Sequence, residues 1–173
     1  MIEVLRIGHR PARDKRITTH VCLVARAFGA DSVAIDTADR SVEKTIQAVN
    51  KRFGGDFKVR SGVDWRRHME NFEGFKVHLT MYGEPIEEIV DRIPKRAPLL
   101  LVVGASKVPP SVYRMADFNV AVSNQPHSEV AALAIFLDRW FLGKQFRREF
   151  CGPVEIIPSA RGKKVIDRRS EEE

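Results

Sequence analysis

Cysteine, tryptophan and tyrosine are scarce in this chain of 173 residues, which contains two of each. Two cysteines, Cys22 and Cys151, are too few for a small scaffold held together by disulfides. A chain of this length buries a sizeable apolar core without such cross-links, and 43% of its residues are hydrophobic. We therefore expect one globular domain with two unpaired thiols.

Long hydrophobic runs are absent too. Apolar stretches such as Leu99 to Val103 fall far short of the ~20 residues that a membrane-spanning helix needs. The first ten residues include Glu3, Arg6 and Arg10, so they lack the apolar centre of a secretory signal peptide. These absences predict a cytoplasmic protein with no membrane partner.

Several catalytic signatures are also missing. Gly104 and Lys107 lack the spacing of a Walker phosphate loop, and the Gly-x-Gly-x-x-Gly turn of dinucleotide-binding proteins does not occur. His127-Ser128-Glu129 matches the His-x-Glu element of zinc deaminases, but Cys151 has no second thiol beside it. We therefore expect no nucleoside triphosphate hydrolysis, no hydride transfer and no catalytic metal.

Positive charge is in excess, with 29 lysines and arginines against 23 acidic residues and a net charge of +6. The basic residues form two clusters, one from Arg6 to Arg26 and one from Lys144 to Arg169, and an acidic tail follows. A run of charges is most often a solvated surface. Two separated basic clusters nevertheless favour a polyanionic partner such as a nucleic acid.

Short runs of Val, Ile and Leu alternate with amphipathic stretches, which is typical of an α/β fold with a parallel sheet. The predicted strands are 3–7, 32–36, 57–60, 76–80, 99–103, 118–122 and 154–157. The predicted helices are 18–28, 42–53, 65–71, 85–93, 111–116 and 128–140. Ser41 and Asp64 are expected to cap the second and third helices, and Gly29 is expected to end the first.

Glycine, proline and small polar residues follow three of the predicted strands, in segments 81–85, 104–110 and 123–129. Any one such segment is typical of an ordinary turn. Ligands of open α/β sheets, however, bind beyond the carboxyl ends of the strands. Three such segments together predict a site that wraps one small ligand.

Segments 6–21, 101–109 and 119–134 resemble the archaeal tRNA cytidine-56 2′-O-methyltransferases, a family of the SPOUT superfamily of knotted RNA methyltransferases. The first contains Gly8-His9-Arg10-Pro11, the second Gly104-Ala105-Ser106-Lys107-Val108, and the third Gln125-Pro126-His127-Ser128-Glu129. The motifs occur in the family's order and span nearly the whole chain. The resemblance predicts a single domain over residues 1–173, with 145–173 as a C-terminal extension.

The resemblance implies a Rossmann-like α/β fold with a mostly parallel sheet and a C-terminal deep trefoil knot, an exception to the rule against knotted chains. It also implies a homodimer, S-adenosyl-L-methionine as cofactor, and methylation of the 2′-hydroxyl of cytidine 56 in the T-loop of tRNA. The family's cofactor-binding positions correspond to Leu79, Gly104, Ala105, Ser106, Lys107, Val108, Val122, Ser123, Asn124, Gln125, Pro126, His127, Ser128 and Glu129.

The same resemblance implies two catalytic residues on the helix predicted at 18–28. Arg26 lies where the superfamily's first motif has an arginine shortly before a glycine, and His20 lies where related enzymes have an asparagine. A guanidinium with a pKa above ~12 is a poor base at neutral pH. We therefore expect Arg26 to stabilise a neighbouring phosphate and the developing alkoxide.

Contacts with tRNA are expected to be mainly phosphate contacts, because backbone charge supplies most of the affinity. The candidates form the N-terminal basic cluster, which we define as Arg10, Arg13, Lys15 and Arg16. The aromatic residues Tyr82, Phe75 and Trp65 are candidates for stacking on a base, although aromatic residues at such spacing more often belong to a core.

Two alternatives stay open on the sequence alone. One is a non-catalytic knotted module that binds RNA, and the other is a methyltransferase that acts on a different RNA site. The ligand-wrapping segments at neighbouring strand ends favour an enzyme, because a pure RNA-binding module has no use for them.

Overall fold

Strands and helices alternate along the chain in this computed structural model, which describes residues 1–171. The elements are β1 (Ile2–Ile7), α1 (Pro11–Ala27), β2 (Ser32–Ile35), α2 (Arg40–Phe53), β3 (Lys58–Ser61), α3 (Trp65–Asn71), β4 (Phe75–Pro85), α4 (Ile86–Ile89), β5 (Leu99–Gly104), α5 (Pro110–Met115), β6 (Phe118–Ala121), α6 (Glu129–Phe141), β7 (Val154–Ile157) and β8 (Lys164–Asp167). Short 3-10 helices occupy Lys144–Arg147 and Arg168–Glu171.

Six strands form one sheet in the order β3-β2-β1-β5-β4-β6, and every neighbouring pair is parallel. The chain therefore has the expected α/β fold with a parallel sheet. β5 lies beside β1, with Leu99 opposite Ile2, and its first five residues are fully buried. Such continuous apolar strands are expected where helices cover both faces of a sheet.

The helices cover the two faces of this sheet. α1, α2 and α6 pack on one face, and α3 and α5 pack on the other. α6 buries Leu133, Phe136, Leu137 and Trp140, whose spacing places them on one side of a helix. This apolar stripe holds α6 against α1 and the strands β4 and β5.

α1 begins at Pro11 and not at residue 18, so the predicted start of this helix was wrong. Pro11 occupies the first helical position, where its fixed φ suits the helix and its missing N–H is not needed. Asp14 in the first turn accepts a hydrogen bond from the Arg10 backbone N–H at 3.1 Å. The first turns of α1 are charged and have no periodic apolar residues. The hydrophobic pattern therefore did not predict that they are helical.

The caps of the next two helices differ in how well they were predicted. The predicted cap Ser41 was wrong, because the Asp39 carboxylate accepts from the backbone N–H groups of Ser41 and Val42 at the start of α2. Asp64 accepts from Arg66 and Arg67 in the same manner, which confirms it as the cap of α3.

Three other elements differ from the prediction. β4 continues to Pro85, five residues beyond its predicted end, through an irregularity at which Leu79 and Glu84 both pair with Val120 of β6. α4 is only one turn long, where a helix over 85–93 was expected. β8 was missed, and it pairs with β7 as an antiparallel hairpin outside the main sheet.

Both thiols are free. Cys22 is buried inside α1, and burial raises the pKa of its thiol to about 12. Cys151 is exposed near the C-terminal hairpin. Within residues 1–171, no helix has the length and apolar character needed to span a bilayer.

Candidate active site

A cleft of about 510 Å³ lies at the carboxyl edge of the parallel sheet. It is lined by His78, Leu79, Thr80, Met81, Tyr82, Gly104, Ala105, Ser106, Lys107, Val108, Tyr113, Val122, His127, Glu129 and Ala132. The cleft therefore draws on the C-terminal part of β4 and on the segments that follow β5 and β6, at the edge where ligands of open α/β sheets bind. Its volume lies within the usual range for small-molecule sites.

A second cavity, of about 700 Å³, is larger but lies elsewhere. Its walls come from Arg26, the end of α2 and the C-terminal segment, including Phe150 and Ile156. None of the strand-end segments reaches this cavity. We therefore take the smaller cleft as the candidate active site.

The segment after β5 makes a tight turn at the mouth of the cleft. The Ala105 backbone N–H donates to Ile7 O at 2.8 Å, which ties the turn to the end of β1. A Cβ atom on Gly104 would lie 2.6 Å from Val108 Cγ1 and 2.8 Å from Ser106 O. Only glycine fits this turn without displacing the segment that lines the cleft.

A buried ion pair ties this turn to the start of α6. The fully buried guanidinium of Arg6 donates to Glu129 Oε1 at 2.8 Å and to Gly104 O at 2.9 Å. The Glu129 side chain is 27% exposed and lines the cleft at the first residue of α6. Arg6 thus holds two parts of the cleft, one from β5 and one from α6, in a fixed relation.

The ion pair continues into a buried polar chain. Arg6 Nε donates to Thr18 Oγ1 at 3.4 Å, and Thr18 Oγ1 lies 2.9 Å from His9 Nδ1. His9 Nε2 lies 2.9 Å from Asp39 Oδ2. Burial raises the pKa of Asp39, but hydrogen bonds from Ser41 and His9 outweigh it and bring the pKa to about 2. This chain of hydrogen bonds therefore links the cleft wall to the ionised Asp39 carboxylate, which caps α2.

His78 lies at the floor of the cleft with a defined tautomer. Asn119 Nδ2 donates to Tyr113 O at 3.0 Å, so the Asn119 Oδ1 atom, 2.9 Å from His78 Nδ1, accepts. His78 Nδ1 therefore carries a proton. Burial lowers the pKa of His78, and the bond to Asn119 opposes this only in part. His78 thus lines the cleft as a neutral imidazole.

Nine of the fourteen predicted cofactor-binding residues line the cleft, namely Leu79, Gly104, Ala105, Ser106, Lys107, Val108, Val122, His127 and Glu129. The other five, Ser123, Asn124, Gln125, Pro126 and Ser128, lie between β6 and α6 without lining it. Asn124 Nδ2 donates to Met81 O at 2.8 Å and Gly83 O at 3.1 Å, and Ser128 caps α6. Asn124 and Ser128 therefore hold the shape of the loop.

Six lining residues were not among the predicted site residues, namely His78, Thr80, Met81, Tyr82, Tyr113 and Ala132. Tyr82 was named only as a stacking candidate, and its side chain is 74% exposed at the rim. Phe75 and Trp65, the other two stacking candidates, pack against the core. The glycine- and proline-containing segment beyond residue 80 indicated this part of the cleft. The hydrophobic pattern gave no indication that His78 in β4 or Tyr113 in α5 would line it.

Arg26 does not line the cleft, and neither does His20. Arg26 Nε donates to Asn50 Oδ1 at 2.9 Å, and its Nη2 donates to Gly54 O at 2.6 Å. Its guanidinium also stacks on the Phe150 ring, 4.3 Å from the centroid, and burial lowers its pKa. α1 has 17 residues and is about 25 Å long, so Arg26 lies far from the cleft edge of the sheet.

The N-terminal basic cluster starts at the cleft edge of α1. Gly8, just before it, lies so close to the β5 turn that a Cβ there would be 3.6 Å from Ser106 Oγ. Arg10 Nε donates to Asp14 at 2.8 Å, a bond that raises the pKa of Arg10 and lowers that of Asp14. The side chains of Arg13, Lys15 and Arg16 are exposed, and none forms an ion pair with a described residue.

Metal ligands are not grouped in this site. Among residues 1–171, no set of three or more His, Cys, Asp or Glu side chains lies close enough together to hold a metal ion.

Solved structures share this fold at low sequence identity. The SpoU methyltransferase AviRb from Streptomyces viridochromogenes, solved in complex with AdoMet, matches with a TM-score of 0.56 and 15% identity over 83% of this chain and 57% of that chain. A TrmH/SpoU tRNA modifying enzyme from A. aeolicus matches with a TM-score of 0.55 and 15% identity over 86% of this chain and 79% of that chain. The fold is thus that of the SpoU/TrmH methyltransferases.

Sequence relatives are much closer. A protein of Picrophilus torridus is 57% identical over 95% of this chain and 48% of its own length, and one of Methanothrix thermoacetophila is 56% identical over 96% and 98%. Both are named tRNA (cytidine(56)-2′-O)-methyltransferase, and the chain spans about half of the first and nearly all of the second. The profile of the tRNA ribose 2′-O-methyltransferase family matches residues 53–166. The chain therefore belongs to the tRNA ribose 2′-O-methyltransferase family, as its resemblance to the cytidine-56 enzymes predicted.

Proposed function

We propose that the cleft transfers a methyl group from S-adenosyl-L-methionine to the 2′-hydroxyl of cytidine 56 in the T-loop of tRNA. The observation that carries this proposal is the convergence of the C-terminal part of β4 and the segments after β5 and β6 on one cleft in a chain of this family. The names of the close relatives support the position of the methylated nucleotide.

The residues of the cleft fit the cofactor. Leu79, Val108, Val122 and Ala132 supply apolar walls of the kind that a nucleoside ring needs. The Glu129 carboxylate, with Oε1 bonded to Arg6, supplies a hydrogen-bond acceptor on its exposed side, and the β5 turn supplies backbone groups. S-adenosyl-L-methionine, when bound, supplies an electrophilic methyl group on a positively charged sulfur.

The reaction joins the ribose 2′-oxygen to the methyl carbon, breaks the carbon–sulfur bond and releases the hydroxyl proton. The contribution of the protein is to hold the two reactants in line, which converts an encounter into a first-order step. Arg6 serves this purpose indirectly, because one guanidinium bonds to both Glu129 and Gly104 and so fixes these two lining residues relative to each other. Gly104 serves it by allowing the β5 turn to close tightly.

We propose that the N-terminal basic cluster binds the tRNA backbone beside the cleft. Arg13, Lys15 and Arg16 are exposed on the first turns of α1, and α1 begins next to the β5 turn. Arg10 belongs to the same cluster, although its charge is shared with Asp14. Tyr82 at the rim offers an exposed aromatic face for a base that has left the T-loop stack.

The catalytic roles of Arg26 and His20 stay predictions, and they require a second chain. Within one chain Arg26 lies at the far end of α1 from the cleft, so it acts on the ribose only if a homodimer brings it to the partner's cleft. Exposed apolar side chains at and beyond the outer face of α6, namely Ile135, Leu142 and Phe146, support such a dimer. We infer a homodimer in which each active site draws on both protomers, acting in the cytoplasm.

The trefoil knot is likewise a proposal. β4 lies between β5 and β6, and the loop after β6 is fastened to β4 by Asn124. We propose that the segment leading into α6 passes through the loop joining β4 to β5. We also propose that residues 1–173 form one domain, with 145–173 as a C-terminal extension. A crystal structure traced from end to end tests the threading.

Methyl transfer to defined tRNA transcripts tests the function. With labelled methyl donor, we expect one 2′-O-methyl group per unmodified transcript, mapped to cytidine 56. A matched transcript carrying 2′-deoxycytidine at that position is the control, and it should accept none. Transfer to a different nucleotide would favour the other RNA site, and tight tRNA binding without any transfer would favour the non-catalytic module.

A further inference from the structure

The C-terminal hairpin, formed by β7, β8 and the turn between them, is anchored firmly at its base. Gly54 at the end of α2 forms an antiparallel β-bridge with Cys151. The two backbones approach so closely that a Cβ on Gly54 or on Gly152 would overlap the backbone opposite. Arg26 adds a clasp by bonding to Gly54 O and stacking on Phe150. The base of the hairpin is therefore held rigidly against α1 and α2.

Beyond this base the hairpin is open to solvent on both faces. Ile156 is 65% exposed, and its cross-strand neighbour Val165 and the adjacent Ile166 are exposed as well. A two-stranded hairpin is marginally stable by itself. The rigid base accounts for the stability of this hairpin. It does not account for a role of the exposed strands that extend from it.

The charge on the hairpin is separated along its length. Its two carboxylates are engaged at the base, where Glu155 pairs with Arg168 at 2.7 Å and Asp167 pairs with Arg169. The bond from Arg169 brings the pKa of Asp167 to about 2. The tip bears Arg161, Lys163 and Lys164, which are exposed and have no ion pair with any described side chain. Within residues 1–171, the tip is thus a concentrated positive charge without a paired carboxylate.

We propose that the C-terminal hairpin is a second tRNA-binding arm, whose tip contacts backbone phosphates through Arg161, Lys163 and Lys164. This inference rests on the proposed function, because it names tRNA as the polyanion. Phosphate binding by lysine and arginine is independent of sequence and positions the nucleic acid. The arm supplements the N-terminal basic cluster, and its rigid base fixes the distance between the two contacts.

Charge reversal at the tip tests this proposal. The double variant Lys163→Glu with Lys164→Glu is compared with the control Lys44→Glu with Arg67→Glu, which alters net charge equally at exposed positions of α2 and α3. We expect the tip variant to weaken equilibrium binding of full-length tRNA by about 10-fold or more. The slope of log K against log salt concentration should fall by the amount that about two phosphate contacts contribute. The control should change binding by less than about 3-fold.

Equal loss in both variants, or no loss in the tip variant, would overturn the proposal. Cofactor affinity and the maximal rate at saturating tRNA should stay at the wild-type level in the tip variant, because its side chains lie away from the cleft. Methylation by the wild-type protein is measured separately. A protein that binds tRNA through the tip but never methylates it would contradict the proposed function and leave the arm intact.

Discussion

Arg6 and Glu129 form an ion pair with unequal access to water. Arg6 is fully buried, whereas 27% of the Glu129 side chain is exposed in the cleft. Removing the carboxylate strands a buried guanidinium, and removing the guanidinium leaves a carboxylate that water can reach. We expect Glu129→Ala to lower the free energy of unfolding by about 3 to 5 kcal/mol and Arg6→Met by less. Urea denaturation of both variants measures the asymmetry, and a larger loss in Arg6→Met would contradict it.

Gly104→Val should abolish cofactor binding while leaving the sheet intact. The new side chain meets Val108 Cγ1 and Ser106 O, both within the β5 turn, so the turn moves and the strand does not. Calorimetric titration with S-adenosyl-L-methionine measures the binding, and far-ultraviolet circular dichroism checks the fold. Ala48→Val on the exposed side of α2 is the control. Unchanged affinity in Gly104→Val would remove the β5 turn from the cofactor site.

His78 should make the protein less stable as the pH falls below neutrality. Burial lowers its pKa from the usual 6.5, so the unfolded chain takes up a proton before the folded chain does. The stability that depends on neutral His78 is fully present above about pH 6.5. It is lost as the pH falls from there towards the lowered pKa of the folded protein. Nuclear magnetic resonance titration should give a pKa below 6.5, and His78→Gln should reduce the pH dependence of unfolding between pH 7.5 and 5. A pKa of 6.5 or higher would refute this account.

Single residues show where sequence reasoning succeeded and where it failed. Gly104 was identified because glycine after an apolar strand is a visible local signal. His78 was missed because nothing local distinguishes a histidine inside a strand from any other polar residue there. Its role depends on Asn119 and Tyr113, which lie more than thirty residues away in sequence but within hydrogen-bond and ring contact.

α1 carries different chemistry at its two ends, and its exposed basic side chains lie at the end near the cleft. Lys15→Ala or Arg13→Ala should each weaken tRNA binding by about 1 kcal/mol or less, because each removes one phosphate contact among several. The maximal rate should be unchanged. Binding measured across a series of salt concentrations should show a smaller slope in either variant. A loss of rate at saturating tRNA would mean that these side chains act in the transition state.

At the other end of α1, Arg26→Ala separates two roles. The contacts in the chain predict that it frees the base of the C-terminal hairpin, because the bonds to Asn50 and Gly54 and the stacking on Phe150 are lost together. Amide hydrogen exchange should then be faster in β7 and β8. A catalytic Arg26 instead predicts a loss of roughly 100-fold or more in single-turnover methylation at saturating tRNA and cofactor.

Arg26→Lys refines that comparison. An ammonium cannot reproduce the fork that reaches Asn50 and Gly54 together, so this variant should resemble Arg26→Ala in hydrogen exchange. Exchange at the wild-type rate in both variants would mean that Arg26 does not stabilise the base of the hairpin.

Elements with a strong apolar period were predicted well, and those without one were not. α6 and β5 matched their patterns because burial of one face, or of both, determines their residues. The start of α1 is charged, and β8 is exposed on both faces, so neither leaves a periodic apolar signal. The cap of α2 was misplaced by two residues because Asp39 and Ser41 are both favourable capping residues.

At the scale of the molecule, the α/β fold and the location of the cleft followed from the alternation of elements and from the strand-end segments. The order of the strands did not, since hydrophobic patterns carry no information about which strands are neighbours. The placement of β4 between β5 and β6 came only from the structure, as did the second sheet of β7 and β8.

The sheet order also constrains when the native structure can form. β4 is made before β5, yet β5 separates it from β1, so the first three strands and β4 cannot join into one sheet until β5 has been synthesised. The central pairing then closes a loop of about 100 residues, from Ile2 to Leu99. The entropy lost in closing so long a loop is offset only once the two strands pair, and this makes folding slow. On the ribosome, the nascent chain therefore carries an unpaired β1 edge through more than half of its synthesis.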